Sequence, residues 1–350
     1  MNISVHLRRT ISAAVLSGAA LCVAGPASAA IIYNTGDADT ATVALGINDE
    51  AHLNSDEAEN IVENSSRTGL AFKFVRDAGA GPTWQDATSP GCFCEGWGVS
   101  VNNATSGFAN VSTDGGVTNL TVSGAPAATP STFTTTTALT SLPGLKVTHA
   151  YAPADNAPGA LFKVVVTIRN ETGAAVNDVK YVRVMDWDVP PTEFNEYVTI
   201  RGTATTTLLE KSHLNGFATA NPLDADCDVD GCGYGGVDVD VTDAGIADHG
   251  AYFRFNFGTI EDSAEYQFTI FYGATASERT ALAAIGAESI ELFSLGQSST
   301  DRGAADGTPA TFIFGFAGVG GTPVPVPEPG SLALMGLGLA GLGFARRRRS

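Results

Sequence analysis

The sequence predicts a mainly β protein, a β-sandwich of many antiparallel strands with one short helix near residues 277–288. Three observations lead to this prediction. Runs rich in β-branched and aromatic residues, bounded by Gly, Pro, Asn and Asp, read as strands at 161–169, 179–188, 252–257 and 266–271. The chain carries 44% hydrophobic residues and 18 Phe, enough apolar material for a core. No repeat of roughly 20 to 50 residues is present, which argues against a propeller or a solenoid.

The chain begins with residues 1–29, a segment typical of a secretory signal peptide. Arg8 and Arg9 precede an apolar run over 11–23, and the small residues 27–29 follow it. The apolar run is shorter than the about 20 residues that span a bilayer. We therefore predict export through the Sec translocon with cleavage after residue 29, rather than a permanent N-terminal anchor.

Residues 30–322 form the predicted exported body. Polar turn residues at 170–173 and 261–263 separate strand runs and predict hairpin connections. Between 124 and 140 the composition shifts to Pro, Ala, Ser and Thr. This shift is typical of a linker, which would place a domain sub-boundary there. Thr also favours an exposed strand, and we prefer one continuous β assembly of two layers with a loose sub-boundary near 140.

The predicted helix begins at Ser277, whose hydroxyl suits the N-cap position, and Glu278 lies in its first turn. A second short helix is predicted near 56–63, where acidic residues at the start favour the helix dipole.

The C-terminal segment, residues 323–350, contains three ordered elements. A Pro/Glu motif comes first, the apolar residues 332–345 predict a short transmembrane helix, and an arginine cluster predicts a stop-transfer signal held on the cytoplasmic side. The motif and the cluster consist of Pro327, Glu328, Pro329, Arg346, Arg347, Arg348 and Arg349. This order resembles the PEP-CTERM sorting signal. The resemblance implies processing by an exosortase-type enzyme, transient inner-membrane anchoring and delivery to the cell surface or extracellular matrix.

The charge of the chain excludes one class of partner and favours another. The formal net charge is -18, and without the six terminal arginines and Glu328 the chain keeps 13 basic and 36 acidic residues, a charge of -23. Such a surface repels phosphate backbones, which excludes nucleic-acid binding. Divalent cations are the natural counter-ions. An anionic polysaccharide would be approached through cation bridges or neutral sugar faces.

Four cysteines follow the signal peptide: Cys92, Cys94, Cys227 and Cys232. In an exported chain this number predicts two disulfides, and three pairings exist. A direct bridge across one intervening residue is strained, so if two bridges form we expect Cys92 and Cys94 to pair with the other two cysteines. A local bridge between Cys227 and Cys232 is the alternative if Cys92 and Cys94 stay reduced. A zinc site of four thiolates is the alternative that the oxidising compartment disfavours. Trp97 is expected to cover a disulfide rather than to stack on a sugar.

An acidic loop suggests calcium as the one cofactor. Asp226, Asp228 and Asp230, followed by Gly231, match the opening of an oxygen-rich calcium loop. The match fails at its last position, where Val237 replaces a bidentate Glu. Asp238, Asp240 and Asp243 lie just beyond it as substitute ligands. The alternative is a solvated acidic loop closed by a bond between Cys227 and Cys232.

A second acidic group follows a predicted strand. Period-2 alternation places Asp186 and Asp188 on one face, and Glu193 and Glu196 come shortly after. Paired carboxylates are what a glycoside hydrolase uses, and they are equally typical of a cation site or a solvated sheet end.

No H-E-x-x-H, G-x-S-x-G or P-loop motif is present. The leading hypothesis is a non-enzymatic surface or matrix protein that associates with exopolysaccharide and contributes to biofilm or floc formation. The alternative is a secreted carbohydrate-active hydrolase.

Overall fold

The structure, a computed structural model, describes residues 30–110, 116–224 and 239–323. Over these residues the chain is mainly β, with large antiparallel sheets and one α-helix, which confirms the predicted fold class. In chain order the strands are β1 (Ala30–Tyr33), β2 (Val43–Ile47), β3 (Leu70–Phe74), β4 (Thr83–Asp86), β5 (Gly96–Val101), β6 (Thr105–Ala109), β7 (Val117–Thr118), β8 (Leu120–Val122), β9 (Ala127–Ala128), β10 (Phe133–Leu139), β11 (Leu142–Pro153), β12 (Leu161–Asn170), β13 (Lys180–Asp186), β14 (Glu196–Arg201), β15 (Leu209–His213), β16 (Val241–Ala247), β17 (Gly250–Asn256), β18 (Glu265–Thr275), β19 (Leu292–Ser299) and β20 (Ala305–Ala317).

The described strands form three sheets. A ten-stranded sheet has the order β16-β14-β19-β20-β18-β12-β11-β10-β8, with β9 paired to β10. A six-stranded sheet has the order β15-β17-β13-β5-β6-β7, and a four-stranded sheet the order β1-β2-β3-β4. The segment at 124–140 contributes β9 and β10 to the largest sheet.

The two smaller sheets pack against one face of the ten-stranded sheet. Phe255 of β17 lies with its ring centroid 4.9 Å from that of Phe316 in β20, and Phe72 of β3 lies 6.3 Å from Phe312 of β20. Alternation explains which side chains enter this core, since Val164 and Val166 of β12 are buried while Val165 between them is half-buried. The result is a two-layer sandwich.

The α-helix, α1 (Glu278–Ala287), covers the opposite face of the ten-stranded sheet. The Ser277 hydroxyl accepts from the Thr280 N–H, so the predicted cap is confirmed. Ala281 and Ile285 pack against strand residues such as Phe271. Strands beneath the helix are therefore buried on both faces. At 56–63 the structure has a 3₁₀ turn, Glu57–Glu59, in place of the second predicted helix.

Both predicted hairpins are wrong. Residues 170–173 connect β12 of the ten-stranded sheet to β13 of the six-stranded sheet, and 261–263 connect β17 back to β18. The two crossings lie side by side, and the Ser263 N–H donates to the Asn170 carbonyl at 2.7 Å. Local sequence marks a turn, but the sheet that the next strand joins depends on long-range packing.

A buried polar network crosses the sandwich core. The guanidinium of Arg183 in β13 donates to the carboxylate of Glu95, and both side chains are 0% exposed. Glu95 also accepts from the Tyr272 hydroxyl at 2.8 Å and from the Leu53 N–H at 2.7 Å. Burial disfavours the charged guanidinium, but the charge of Glu95 raises the pKa of Arg183 well above its usual value.

Trp97 of β5 belongs to this core. Its side chain is fully buried, its indole N–H donates to the Glu50 carbonyl, and its ring centroid lies 4.5 Å from that of His149. Burial excludes the sugar-stacking alternative for this residue. Its ring neighbours are core side chains, His149 and Tyr181.

Candidate functional site

A cluster of carboxylates forms where three strands end. Asp186 is the last residue of β13, Asp188 follows it by two positions, and Glu196 is the first residue of β14. Asp248 lies between β16 and β17. Carboxylate oxygens of Asp186, Asp188 and Asp248 lie within 4.8 Å of one another. We call Asp186, Asp188, Glu196 and Asp248 the carboxylate cluster.

The strands position these side chains by simple alternation. Trp187 points into the core, where its indole N–H donates to the Ser294 hydroxyl at 3.0 Å. Asp186 and Asp188 on either side of it therefore share the other direction, as the sequence pattern predicted. Glu196 is drawn in by the backbone, because its carboxylate accepts the His249 N–H at 2.6 Å.

Most of the cluster is removed from solvent without its hydrogen bonds satisfied. Asp186 is 1% exposed, and Asp188 and Glu196 are 0% exposed. Both carboxylate oxygens of Asp188 lack a hydrogen-bond partner, as do Oδ1 of Asp186 and Oε2 of Glu196. Buried polar atoms in proteins almost always have a partner, so four such oxygens together require an explanation.

The pKa values follow from this environment. Burial, reinforced by the charge of Asp248, raises the pKa of Asp186 to about 8. Burial and the neighbouring Asp186 and Glu196 raise the pKa of Asp188 to about 10. Burial also raises the pKa of Glu196 to about 9, although the His249 N–H opposes the shift. The cluster therefore holds protons at neutral pH unless a cation neutralises it.

Gly216 and Cys92 lie next to Asp186 of the cluster. A Cβ added to Gly216 would lie 2.5 Å from both Cα and Oδ1 of Asp186, so the backbone there approaches the carboxylate as only glycine allows. The sulfur of Cys92 lies 3.8 Å from Oδ2 of Asp186. Because Cys92 is in a disulfide, its sulfur has no proton to donate to that oxygen.

An open groove of about 750 Å³ lies beside the cluster. The connection between β13 and β14 forms one wall, and the side chain of Ile246, which precedes the cluster residue Asp248 by two positions, contributes to another. Phe194 is 47% exposed and Ile246 is 45% exposed. Phe194 adopts φ 69°, and its ring rests on Gly91, where a Cβ would lie 2.7 Å from the ring.

Polar groups surround Phe194. The guanidinium of Arg76 forms a two-pronged ion pair with Glu193, at 2.7 and 3.1 Å, and Asn64 donates to the same carboxylate at 3.1 Å. Asn195 also lines the groove. Glu193, one of the acidic residues singled out from the sequence, is therefore held by a cation and does not join the cluster.

The predicted cysteine pairing differs from the structure. Cys92 is bonded to Cys94, whereas the sequence favoured bridges from these two residues to Cys227 and Cys232. The bridge closes within the short segment between β4 and β5. Cys227 and Cys232 lie outside the described residues.

Other predicted site residues also lie outside the described part of the chain: Asp226, Asp228, Asp230, Asp238, Pro327, Glu328, Pro329 and Arg346 to Arg349. Asp240, offered as a substitute calcium ligand, accepts instead from the backbone N–H groups of Gly202 and Thr203, each at 3.0 Å. Among the described residues no helix is long and apolar enough to cross a membrane. The transmembrane prediction for 332–345 falls outside them.

Sequence reasoning missed Asp248 and Phe194. Asp248 lies far from Asp186 along the chain, and nothing in its neighbourhood marks it as a ligand. The buried pair of Glu95 and Arg183 was also missed, although a charged residue within the apolar run 181–185 was a usable signal.

The comparisons with known proteins identify the C-terminus. Residues 325–349 match the PEP-CTERM protein-sorting motif, which confirms the resemblance noted in the sequence. No curated protein matches the chain. The motif implies an exported protein that an exosortase-type enzyme sorts, anchored transiently at the membrane and then released to the surface.

Proposed function

We propose that the body of this PEP-CTERM protein is a non-enzymatic surface or matrix protein that holds exopolysaccharide in the groove around Phe194, and so contributes to biofilm or floc formation. One observation carries the proposal. Phe194 presents an exposed aromatic ring on a rigid glycine support, with Asn64, Asn195 and the Arg76–Glu193 ion pair around it. An aromatic face with convergent planar polar groups suits the C–H face and hydroxyls of a sugar ring.

The backbone of Phe194 supports a binding role. A non-glycine residue at φ 69° lies in the left-handed region, which costs free energy. Such conformations recur where a side chain is held out for binding, and here the conformation keeps the ring half in solvent instead of in the core.

The charge of the body limits the sugars that suit it. A formal charge of -23 repels anionic polymer at long range. The groove is therefore suited to neutral faces of the polymer, with Arg76 as its local cation and divalent cations bridging the remaining acidic surface to uronate-type groups.

A hydrolase is the second candidate, and the raised pKa values of Asp186 and Glu196 favour it, because a general acid must keep its proton at neutral pH. The burial of Asp188 and Glu196 supports the non-enzymatic proposal, since a catalytic carboxyl must reach a glycosidic oxygen.

Co-sedimentation of the exported chain with exopolysaccharide from cells that make it separates the candidates. New reducing ends are assayed in the same tubes. We expect binding without new reducing ends, and we expect Phe194→Ala to weaken binding about tenfold, as loss of a central aromatic contact does. Phe217→Ala, at a phenylalanine that is 38% exposed and does not line the groove, is the matched control and should bind normally.

Two results would reject the proposal. Equal loss of binding in Phe194→Ala and Phe217→Ala would show that the groove is not the polysaccharide-binding site. Released reducing ends that disappear in Asp186→Asn would replace it with the hydrolase.

A further inference from the structure

We propose that the carboxylate cluster binds a calcium ion, with Asp186, Asp188 and Asp248 as ligands and Glu196 completing the site. Its ligands are other residues than those of the acidic loop at 226–230, and the proposal goes beyond the proposed polysaccharide function. Besides the clustering of acids, the environment of Asp188 supports a bound cation. That side chain is 0% exposed and both its oxygens lack a hydrogen-bond partner. One of its oxygens lies within 4.8 Å of a carboxylate oxygen of Asp186 and of one of Asp248.

A cation explains what hydrogen bonds do not. Ionised carboxylates this close repel one another, and a buried carboxylate without a partner is costly. Protonation is the other way to neutralise the cluster, with the O–H of one acid donating to a carboxylate oxygen of its neighbour. A bound cation satisfies the orphaned oxygens and neutralises their charge in one step.

The donor chemistry selects calcium. The donors that Asp186, Asp188 and Asp248 bring together are carboxylate oxygens, which hard cations prefer, whereas zinc and copper prefer nitrogen and sulfur. Cys92, the nearby sulfur, is already bonded to Cys94. Calcium accepts six to eight oxygens in irregular and bidentate arrangements, while magnesium demands a near-ideal octahedron. Several carboxylates grouped from three places in the chain match the calcium pattern.

The ion would join the ends of three segments, two of which, β13 and β17, already pair along their length. Asp186 and Asp188 close β13, Glu196 opens β14, and Asp248 leads into β17. The connection from 189 to 195, which includes Phe194, would then be fixed at both ends. Binding of the ion would therefore fix the shape of the groove and also stabilise the folded state.

Calorimetric titration of the exported chain with calcium chloride tests the site. We expect one site with a dissociation constant of about 10⁻⁴ M or tighter, the range of extracellular calcium modules. Asp188→Asn should weaken calcium binding at least about tenfold, because it removes a charged ligand. Loss of a residue that only supports a ligand already costs about 10- to 100-fold in metal affinity. The matched control is the triple variant Asp226→Asn, Asp228→Asn and Asp230→Asn, in which this site should remain. Magnesium chloride should bind more weakly than calcium.

Thermal unfolding gives an independent measure. Calcium should raise the midpoint of the wild type above its value in chelator, and Asp188→Asn should show no such rise. In chelator, Asp188→Asn should unfold at the same or a higher temperature than the wild type, because the neutral amide replaces an acid that must hold a proton to stay buried. Asp248→Asn, at the exposed member of the cluster, gives the same test if Asp188→Asn does not fold.

The proposal is overturned if calcium neither binds nor shifts the wild-type midpoint. It is equally overturned if the triple variant loses all calcium binding while Asp188→Asn and Asp248→Asn retain it. Neither measurement uses polysaccharide, so failure here and failure of the polysaccharide proposal are distinguishable.

Discussion

Asp188 and Glu196 stand at the two ends of the connection between β13 and β14, both 0% exposed and both with carboxylate oxygens that lack a hydrogen-bond partner. The residues between them, including Glu193 and Phe194, line the open groove. The charge state of the buried ends and the geometry of the exposed middle therefore belong to one segment. A change in the charge state of Asp188 or Glu196 should therefore alter the geometry of the groove around Phe194.

The stability of the protein should fall as pH rises when calcium is absent. In the unfolded chain carboxyls lose their protons near pH 4, whereas burial raises the pKa of Asp186 to about 8 and that of Asp188 to about 10. Between these values the folded state binds more protons, so stability is lost as pH rises. We expect a lower urea midpoint at pH 9 than at pH 7 in chelator, and a smaller difference in calcium.

The window from pH 7 to pH 9 isolates this effect from buried histidines. Burial lowers the pKa of His52 to about 3, lowers the pKa of His149 well below its usual value and lowers that of His249, so these rings stay neutral throughout. Asp188→Asn should reduce the pH dependence, and Asp301→Asn at an exposed loop residue should leave it unchanged. An identical midpoint at both pH values in chelator would contradict the prediction.

Gly216→Ala should disturb the carboxylate cluster directly. The new Cβ would lie 2.5 Å from both Cα and Oδ1 of Asp186. This clash is relieved only if the backbone at position 216 and Asp186 move apart. We expect destabilisation of about 1–3 kcal/mol and weaker calcium binding, measured by urea unfolding and calorimetry. Gly159→Ala, where a Cβ meets nothing within 4 Å, is the control and should match the wild type. Equal behaviour of the two variants would show that the close approach is unimportant.

Arg183→Leu should be among the most damaging single substitutions in the core. It leaves the carboxylate of Glu95 buried and without its cation, at a cost of about 3–5 kcal/mol in the free energy of unfolding. Arg169→Ala, which breaks ion pairs with Glu171 and Glu265 at the surface, should change stability little, because solvent screens those charges. Chemical denaturation compares the two, and similar losses would refute the distinction.

Changing Pro327 and Glu328 to Ala should leave the C-terminal tail uncleaved and the protein in the membrane fraction. Both residues lie within the matched sorting motif, residues 325–349, whereas Pro323 lies outside it. Pro323→Ala is therefore the control and should be processed normally. Intact mass of the released protein reads the outcome. Release of the double variant with the same C-terminus as the wild type would show that these two residues are not required for processing.

Chelation should also weaken polysaccharide binding at the groove, if both proposals hold. Loss of the ion frees both ends of the connection that carries Phe194, so the ring loses part of its preorganised position. We expect co-sedimentation of the wild type to fall in chelator, and that of Asp188→Asn to be the same with and without calcium. Chelator sensitivity that persists unchanged in Asp188→Asn would assign the calcium effect to another part of the chain.

The sequence supported predictions that depend on neighbouring residues. Runs of β-branched and aromatic residues bounded by turn residues located β12, β13, β17 and β18, because strand preference and turn chemistry act between neighbouring residues. The hydroxyl of Ser277 marked the start of α1, because capping acts within one turn. The sorting motif was legible for the same reason, since its three elements are adjacent in the chain.

Only the tertiary structure decided how these elements meet. The turn at 170–173 was legible, but its use as a crossing between sheets depends on which distant strands offer free edges and apolar faces. Asp186 and Asp188 were visible as a pair, yet their burial and their approach to Asp248 come from the packing of β13, β14 and β17. Residues close in sequence share a local geometry by covalent connection, whereas residues distant in sequence share a site only when folding makes the same contacts for both.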